Sequence, residues 1–347
     1  MAAREAFEIG GAQIAPGSRQ TVDLPVSVLS DHTPVTMPAH VIHGRRPGPT
    51  VFVSAGIHGD EVIGVEIVRR LLTMRKLKVL SGTLIAVPIV NAFGFLNRSR
   101  YLPDRRDLNR CFPGSVTGSL GSRLAHIFMT EIVQRCDLGI DLHSAAVHRT
   151  NLPQLRISQD NPETKRLAML FGAPVVLCSN LRDGSLRGAA KEAGADVLLY
   201  EAGEALRFDE MSVRAGVLGI LRVLRDQGMI AARTVSEAQS APLFCHSSRW
   251  VRAPLGGLLR TYKSEGEFVE EGEILAFVSD PFGEVEHEIK APIPGLIVGR
   301  AVMPTVNEGD AVYHIARVSD EDDADGTVGM LSSQLEDDPL FDEDEII

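Results

Sequence analysis

Three side chains in this sequence have the types and placement to hold a metal ion. His58 and Glu61, in Gly56-Ile57-His58-Gly59-Asp60-Glu61, put an imidazole and a carboxylate three residues apart. They follow residues 50–55, a short apolar run rich in β-branched residues that predicts a buried strand. A third donor ends a second apolar run, Ile140-Asp141-Leu142-His143-Ser144. Two nitrogens and one carboxylate oxygen suit Zn²⁺, and three protein ligands leave a position open for catalysis. Asp141, two residues before His143, is placed to orient the site from behind. A His-x-x-Glu pair alone is a weak signal, and a solvated loop histidine beside a core-edge histidine is its ordinary alternative. Position favours the metal reading. Both histidines end predicted strands, and the flanking Gly56, Gly59, Ser144 and Ala145 leave room for a ligand.

The elements that must carry these residues read as an α/β chain. Predicted strands at 50–55, 83–90, 138–142, 175–178 and 197–200 alternate with helices near 62–72, 124–134, 163–171, 186–193 and 211–227. Such alternation implies a largely parallel sheet, whose site lies beyond the carboxyl ends of its strands. Residues 1–46 form an N-terminal β segment packing on the catalytic domain, which spans 47–231. A polar stretch, 232–248, reads as a linker. Residues 249–318 contain an internal repeat. Arg252-Ala253-Pro254-Leu255-Gly256-Gly257-Leu258 recurs as Lys290-Ala291-Pro292-Ile293-Pro294-Gly295-Leu296, and Val269-Glu270-Glu271-Gly272-Glu273 recurs as Val306-Asn307-Glu308-Gly309-Asp310. Two half-modules of this length imply a small pseudo-symmetric all-β domain.

The charge of −11 is concentrated at one end. Twelve of the 46 acids lie in residues 319–347 with no Lys or Arg, so the rest holds 34 acids against 35 bases. A near-neutral body argues against a nucleic-acid partner, and the acidic end reads as a disordered tail. Four scattered cysteines suggest neither a disulfide framework nor a thiolate metal site. No run of 18 apolar residues predicts a membrane span, and the first residues lack a signal-peptide pattern. The cytoplasm is the expected compartment, and a homo-oligomer is compatible with the chain.

Four motifs in this order resemble the succinylglutamate desuccinylase/aspartoacylase family, relatives of the zinc carboxypeptidases. They are Gly56-Ile57-His58-Gly59-Asp60-Glu61, Asp107-Leu108-Asn109-Arg110-Cys111-Phe112-Pro113-Gly114, Asp141-Leu142-His143-Ser144 and Tyr200-Glu201-Ala202-Gly203. The resemblance implies a mixed sheet flanked by helices and then a smaller β domain. It implies one Zn²⁺ on His58, Glu61 and His143, activating a water for attack on an amide carbonyl. Glu201 would move the proton, with Glu204 as its competitor. Asn109 and Arg110 would hold a substrate carboxylate. Of the arginines between 97 and 110, Arg100 is placed by analogy as the one polarising the carbonyl.

Other candidates read as bland. His148 is a loop residue, and His126, His246, His287 and His314 lack ligand spacing. Arg207 is a guess for the pocket wall. The β domain resembles biotinyl/lipoyl barrel-sandwich modules, but its central turn, Ser279-Asp280-Pro281-Phe282-Gly283-Glu284, has no acceptor lysine. It is expected as an accessory rather than a carrier. The leading expectation is a zinc deacylase acting on a small anionic N-acyl amino acid or related amide. The alternatives are a zinc carboxypeptidase on peptides and a non-catalytic binding protein of the same fold.

Overall fold

The computed structural model describes residues 4–74, 77–158, 161–318 and 321–338. A hairpin, β1 (Phe7–Ile9) and β2 (Ala12–Ile14), precedes β3 (Ser18–Val28), β4 (Pro34–His43) and β5 (Arg46–Ala55). Then come α1 (Ile63–Thr73), β6 (Ser81–Val87), α2 (Ala92–Asn97), α3 (Leu120–Glu131), β7 (Leu138–Ala145), β8 (Arg149–Ile157) and α4 (Pro162–Phe171). β9 (Val175–Cys178), α5 (Leu186–Glu192), β10 (Asp196–Glu204) and α6 (Glu210–Asp226) complete the larger region. The C-terminal region holds β11 (Leu243–Cys245), β12 (Ser248–Arg252), β13 (Gly257–Thr261), β14 (Phe268–Val269) and β15 (Ile274–Ser279). It continues with β16 (Glu286–Lys290), β17 (Gly295–Ala301), β18 (Thr305–Val306), β19 (Ala311–Ala316) and α7 (Glu321–Asp337).

At the centre, β10, β7, β5 and β6 run parallel, in that order. β7 is buried at every residue, as a strand covered on both faces must be. One face packs on α1, α4 and α6. α1 presents Ile63, Ile67, Val68 and Leu71, a helical stripe, to this core. The other face packs on α3, α5 and the hairpin through residues such as Phe128, Leu186, Ile9 and Ile14. Antiparallel strands extend both edges, with β4 and β3 beyond β6 and β8 beside β10. The sheet is therefore mixed, as the family resemblance implies, rather than largely parallel.

The C-terminal repeat is visible as paired elements. β12–β13 corresponds to β16–β17, and β14–β15 to β18–β19. This region is an antiparallel β module with its own core around Leu275, Val278, Ile297 and Ile315. It is not a detached bead. β17 pairs with β8 through Gly299↔Asn151, Arg300↔Thr150 and Ala301↔Arg149, so one sheet runs through both regions. The segment expected as a linker also holds β11, which pairs in parallel with β9.

The expectation of a disordered tail fails over 321–337, where the chain forms α7. Leu331 and Leu335, one turn apart, are only 4% and 3% exposed and join the core beside α6. Gln334 fastens the helix by donating to the Glu237 carbonyl (2.8 Å) and accepting from the Gln239 N–H (3.2 Å). Residues 319–320 and 339–347 of the expected tail lie outside the described residues. Burying two leucines on an acidic helix explains the difference, because composition averages over a stripe this narrow. Leu331→Ala with Leu335→Ala removes about 2–5 kcal/mol per site of packing energy. Hydrogen exchange should show the amides of α7 opening at least about 10-fold faster in the double variant. Unchanged protection would mean that the two leucines do not hold the helix down.

Candidate metal centre and active-site cavity

β5 and β7 are adjacent parallel strands, so the segments leaving their carboxyl ends meet at one edge of the sheet. After β5 the chain turns sharply through Gly56 and His58 into α1. Gly59 is required there. A Cβ at this position would lie 1.9 Å from the Gly94 backbone of α2. Asn91 caps α2 with its side-chain oxygen and donates to the Ile57 carbonyl (3.3 Å), fixing the turn from the other side.

His58, Glu61 and His143 are all buried, with donor atoms within 4.8 Å of one another. His58 Nδ1 donates to Glu61 Oε1 (2.6 Å), and His143 Nδ1 donates to Glu61 Oε2 (2.7 Å). The opposite nitrogens are backed by carboxylates, His58 Nε2 by Asp107 (3.0 Å) and His143 Nε2 by Asp141 (2.8 Å). Asp141 also accepts from the Ser54 hydroxyl (2.8 Å). Period-two alternation puts residues 141 and 143 on one face of β7, which is how the carboxylate reaches its histidine.

This donor set fits a metal ion. Two imidazoles turn one nitrogen each towards a shared centre, and carboxylates hold the other nitrogens, which fixes tautomer and ring angle. Burial would raise the Glu61 carboxyl, but the His58 and His143 imidazoles outweigh it and hold the group well below the usual carboxylate range. Burial would likewise lower His143, and Asp141 and Glu61 raise it well above its ordinary value instead.

Glu201 reaches the same edge from β10, the other neighbour of β7. Between Glu201 and Gly203 the register of β10 shifts against β8, and against β7 it shifts between Glu201 and Glu204. Gly203 takes φ +65°, a conformation costly for other residues. Such a bulge re-aims a side chain. Glu201 then lines the cavity and accepts from Arg156 (2.7 Å) and from Asn151 Nδ2 (3.2 Å). Glu204 is held elsewhere, by the His148 N–H (3.0 Å) and by Arg207 (3.1 Å).

Residues 47–226 match the model of the succinylglutamate desuccinylase/aspartoacylase catalytic domain. The chain belongs to the succinylglutamate desuccinylase/aspartoacylase family. It is 27% identical over 296 residues to an N-alpha-acetyl-L-2,4-diaminobutyric acid deacetylase of Halomonas elongata, covering 82% of this chain and 86% of that one. Its fold is similar to that of a succinylglutamate desuccinylase/aspartoacylase from Rhodobacter sphaeroides (TM-score 0.77, 27% identity, 87% of this chain and 96% of the other). It is also similar to the product-bound ectoine utilization protein EutE (DoeB) from Ruegeria pomeroyi (TM-score 0.78, 24% identity, 91% and 99%). Membership makes the chain one of a family of deacylases that act on amide bonds.

All seven residues singled out as metal, catalytic or substrate-binding candidates line one cavity of about 210 Å³. Arg100 donates to Glu61 Oε1 (3.1 Å) and to Asp107 Oδ2 (3.2 Å). Asn109 accepts from the Leu186 N–H (2.9 Å), and its side chain faces the cavity. Arg110 lines the wall beside it. Arg207 does not. It is 72% exposed and paired with Glu204. His148 is an exposed loop residue at φ +66°.

The cavity also contains residues that sequence reasoning missed. Arg149, Arg156, Arg182, Arg187 and Arg300 join Arg100 and Arg110 in its lining. Among the described residues the acids in the lining are Glu61, Asp141 and Glu201, two of them committed to the histidines, while Arg100 also pairs with Asp107 (3.2 Å) and Arg300 with Glu265 (2.6 Å). Arg187 donates to the Arg156 carbonyl (3.2 Å) and the Ser179 hydroxyl (3.0 Å) but meets no carboxylate at ion-pair distance among the described residues. Burial, then the charge of Arg156, pulls its guanidinium down to about 10. Trp250 and Arg300 come from the C-terminal region. Trp250 stacks on His314 (centroids 4.2 Å apart, planes within 3°), and the Arg149 guanidinium lies 5.7 Å from its ring. Arg156 sits near the end of β8, a strand not expected from the sequence, beside the strand that carries Glu201. Nothing in the sequence pointed to Trp250.

Proposed function

We propose that this chain is a zinc-dependent deacylase that hydrolyses the amide bond of a small N-acyl amino acid carrying a negative charge. The observation that carries this reading is the meeting of the His58–Glu61–His143 cluster and Glu201 in a cavity lined by seven arginines. His58, Glu61 and His143 would hold the ion. When bound, zinc would polarise the amide carbonyl and lower the pKa of a water beside it.

The chain's own residues do the rest. Arg100 donates to the carbonyl oxygen as negative charge builds there. Glu201 takes a proton from the attacking water and returns it to the departing nitrogen. Arg156 and Asn151 keep its carboxylate aimed inward. Asn109 and Arg110 grip a substrate carboxylate, for which a guanidinium offers two parallel hydrogen bonds.

Cavity size and wall chemistry support a small anionic substrate over a polypeptide. Trp250 and Arg300 line it from the C-terminal side, and its volume of about 210 Å³ suits an amino-acid derivative. The Halomonas relative is a deacetylase of a diamino acid. The cationic wall here favours an acidic side chain or acyl group. The four cysteines form no disulfide, which fits a reducing compartment such as the cytoplasm. Among the described residues no helix is long and apolar enough to cross a membrane.

The test is a hydrolysis screen of zinc-loaded protein on N-acetyl and N-succinyl amino acids and short peptides. Acidic N-acyl amino acids should exceed neutral and basic ones in kcat/KM by at least about 10-fold, the worth of one charged hydrogen bond. Peptides cleaved faster than any N-acyl amino acid would favour a carboxypeptidase instead.

A further inference from the structure

A second concave site lies at the other end of the sheet. The start of β3, the end of β4, the start of β5 and the loop before β6 enclose a groove of about 470 Å³. Its floor is apolar, formed by Ile42, Leu77, Val79 and Leu80. Among the described residues four cations, Arg19, Arg45, Arg46 and Lys78, stand around it, and no acidic side chain lines it. Arg19 is tied to the Leu72 carbonyl (3.0 Å) and His40. The side chains of Arg45, Arg46 and Lys78 make no hydrogen bond or ion pair among the described residues.

The walls are built, not draped. Arg4 NH1 donates to the Gly44 and Gly82 carbonyls (both 2.7 Å), the Arg46 N–H to the Leu80 carbonyl (3.1 Å) and the Gly17 N–H to the His43 carbonyl (2.7 Å). Gly17, at φ +80°, leaves space for the Arg45 side chain to lie across the turn, where a Cβ would meet its Nε at 2.6 Å. β5 starts at the groove and ends just before His58, a run of about 30 Å at ~3.3 Å per residue. An occupant of the groove therefore cannot be the substrate in the cavity.

Four like charges around one concavity repel one another and raise a positive potential there unless an anion joins them. Inorganic sulfate or phosphate alone would leave the apolar floor uncovered. A space of several hundred Å³ with an apolar floor and convergent polar groups is the usual form of a small-molecule site. From this geometry we infer that the groove binds a small organic anion, one with an apolar body and a carboxylate, sulfonate or phosphate head. The head sits among Arg45, Arg46 and Lys78, and the body lies on Leu77, Val79 and Leu80. This inference does not depend on the deacylase reading.

Naphthalene-2-sulfonate is a suitable probe, with inorganic sulfate and 2-naphthylmethylamine as controls. Titration calorimetry on the full chain should show a saturable sulfonate site that survives Arg110→Gln, a substitution in the cavity. Arg45→Gln with Lys78→Gln should weaken it at least about 10-fold, since each removes a charged hydrogen bond. Both positions are exposed, and an unchanged melting temperature would show that the fold is intact. The amine should not bind measurably, and sulfate should bind at least about 10-fold more weakly than the sulfonate. The inference is overturned by no saturable binding, by binding unaffected in the double variant, or by binding lost in Arg110→Gln. Sulfate as tight as the sulfonate would equally overturn it, because the apolar floor would then contribute nothing.

Discussion

Glu201→Gln should lower kcat by about 10²–10⁴-fold, the range a positioned general acid–base supplies, while the bound ion is retained. Gln keeps the shape of the side chain and can still accept from Asn151 or Arg156, so the change removes mainly the ability to take a proton. His58, Glu61 and His143 stand on other segments, and among the described residues none of their side-chain hydrogen bonds involves Glu201. Activity within a few-fold of wild type would mean that a different group moves the proton. Glu204 is not at hand for that, because it faces His148 and Arg207. Loss of the ion along with activity would make Glu201 part of the metal centre.

Arg100→Gln should cost about 10²–10³-fold in kcat with little change in KM, as expected for a donor used mainly when charge develops on the carbonyl oxygen. Among the described residues Arg100 is the one lining arginine hydrogen-bonded to the His58–Glu61–His143 cluster, through Glu61, and its second contact is Asp107. It is thus fixed at the point where the carbonyl must approach. Lysine should not restore the rate, because a single ammonium cannot span Glu61, Asp107 and the substrate as the planar fork does. Unchanged kcat with a raised KM would reassign Arg100 to ground-state binding of a substrate carboxylate. Steady-state kinetics on the best substrate from the screen separates the two.

The parts of the site that were legible share one property. His58, His143 and Glu201 each lie at or just past the end of a predicted strand, and a buried parallel strand is the easiest strand to see. Their convergence followed from the order of strands and helices. What stayed hidden depended on pairing. β8 contains Asn151, Pro153, Gln154 and Arg156, and no strand was expected there. The structure accommodates Pro153 where β10 bulges and where the other edge of β8 changes partner from β17 to β9. A proline without an N–H is tolerated at such a break. Missing β8 meant missing Arg156 and Asn151, which steady Glu201. It also hid the pairing that brings Trp250 and Arg300 to the cavity. The repeat in 249–318 was visible because its Gly and Pro positions recur, but no sequence pattern announced which edge it would join.

α7 was misread for a related reason. Its acids dominate any average, and of its buried described residues, Thr327, Leu331, Gln334 and Leu335, just the two leucines are apolar. The groove lined by Arg45 and Lys78 is a product of folding too, since the loop before β5 and the loop before β6 meet only in the sheet.

The most direct measurement is the metal content of purified, dialysed protein by elemental mass spectrometry, wild type beside Glu61→Gln and His143→Ala. One zinc per chain in wild type, falling towards none in both variants while each remains folded by circular dichroism, is the predicted result. Wild type without a stoichiometric transition metal after zinc loading, or variants that hold as much as wild type, would contradict a metal centre on His58, Glu61 and His143.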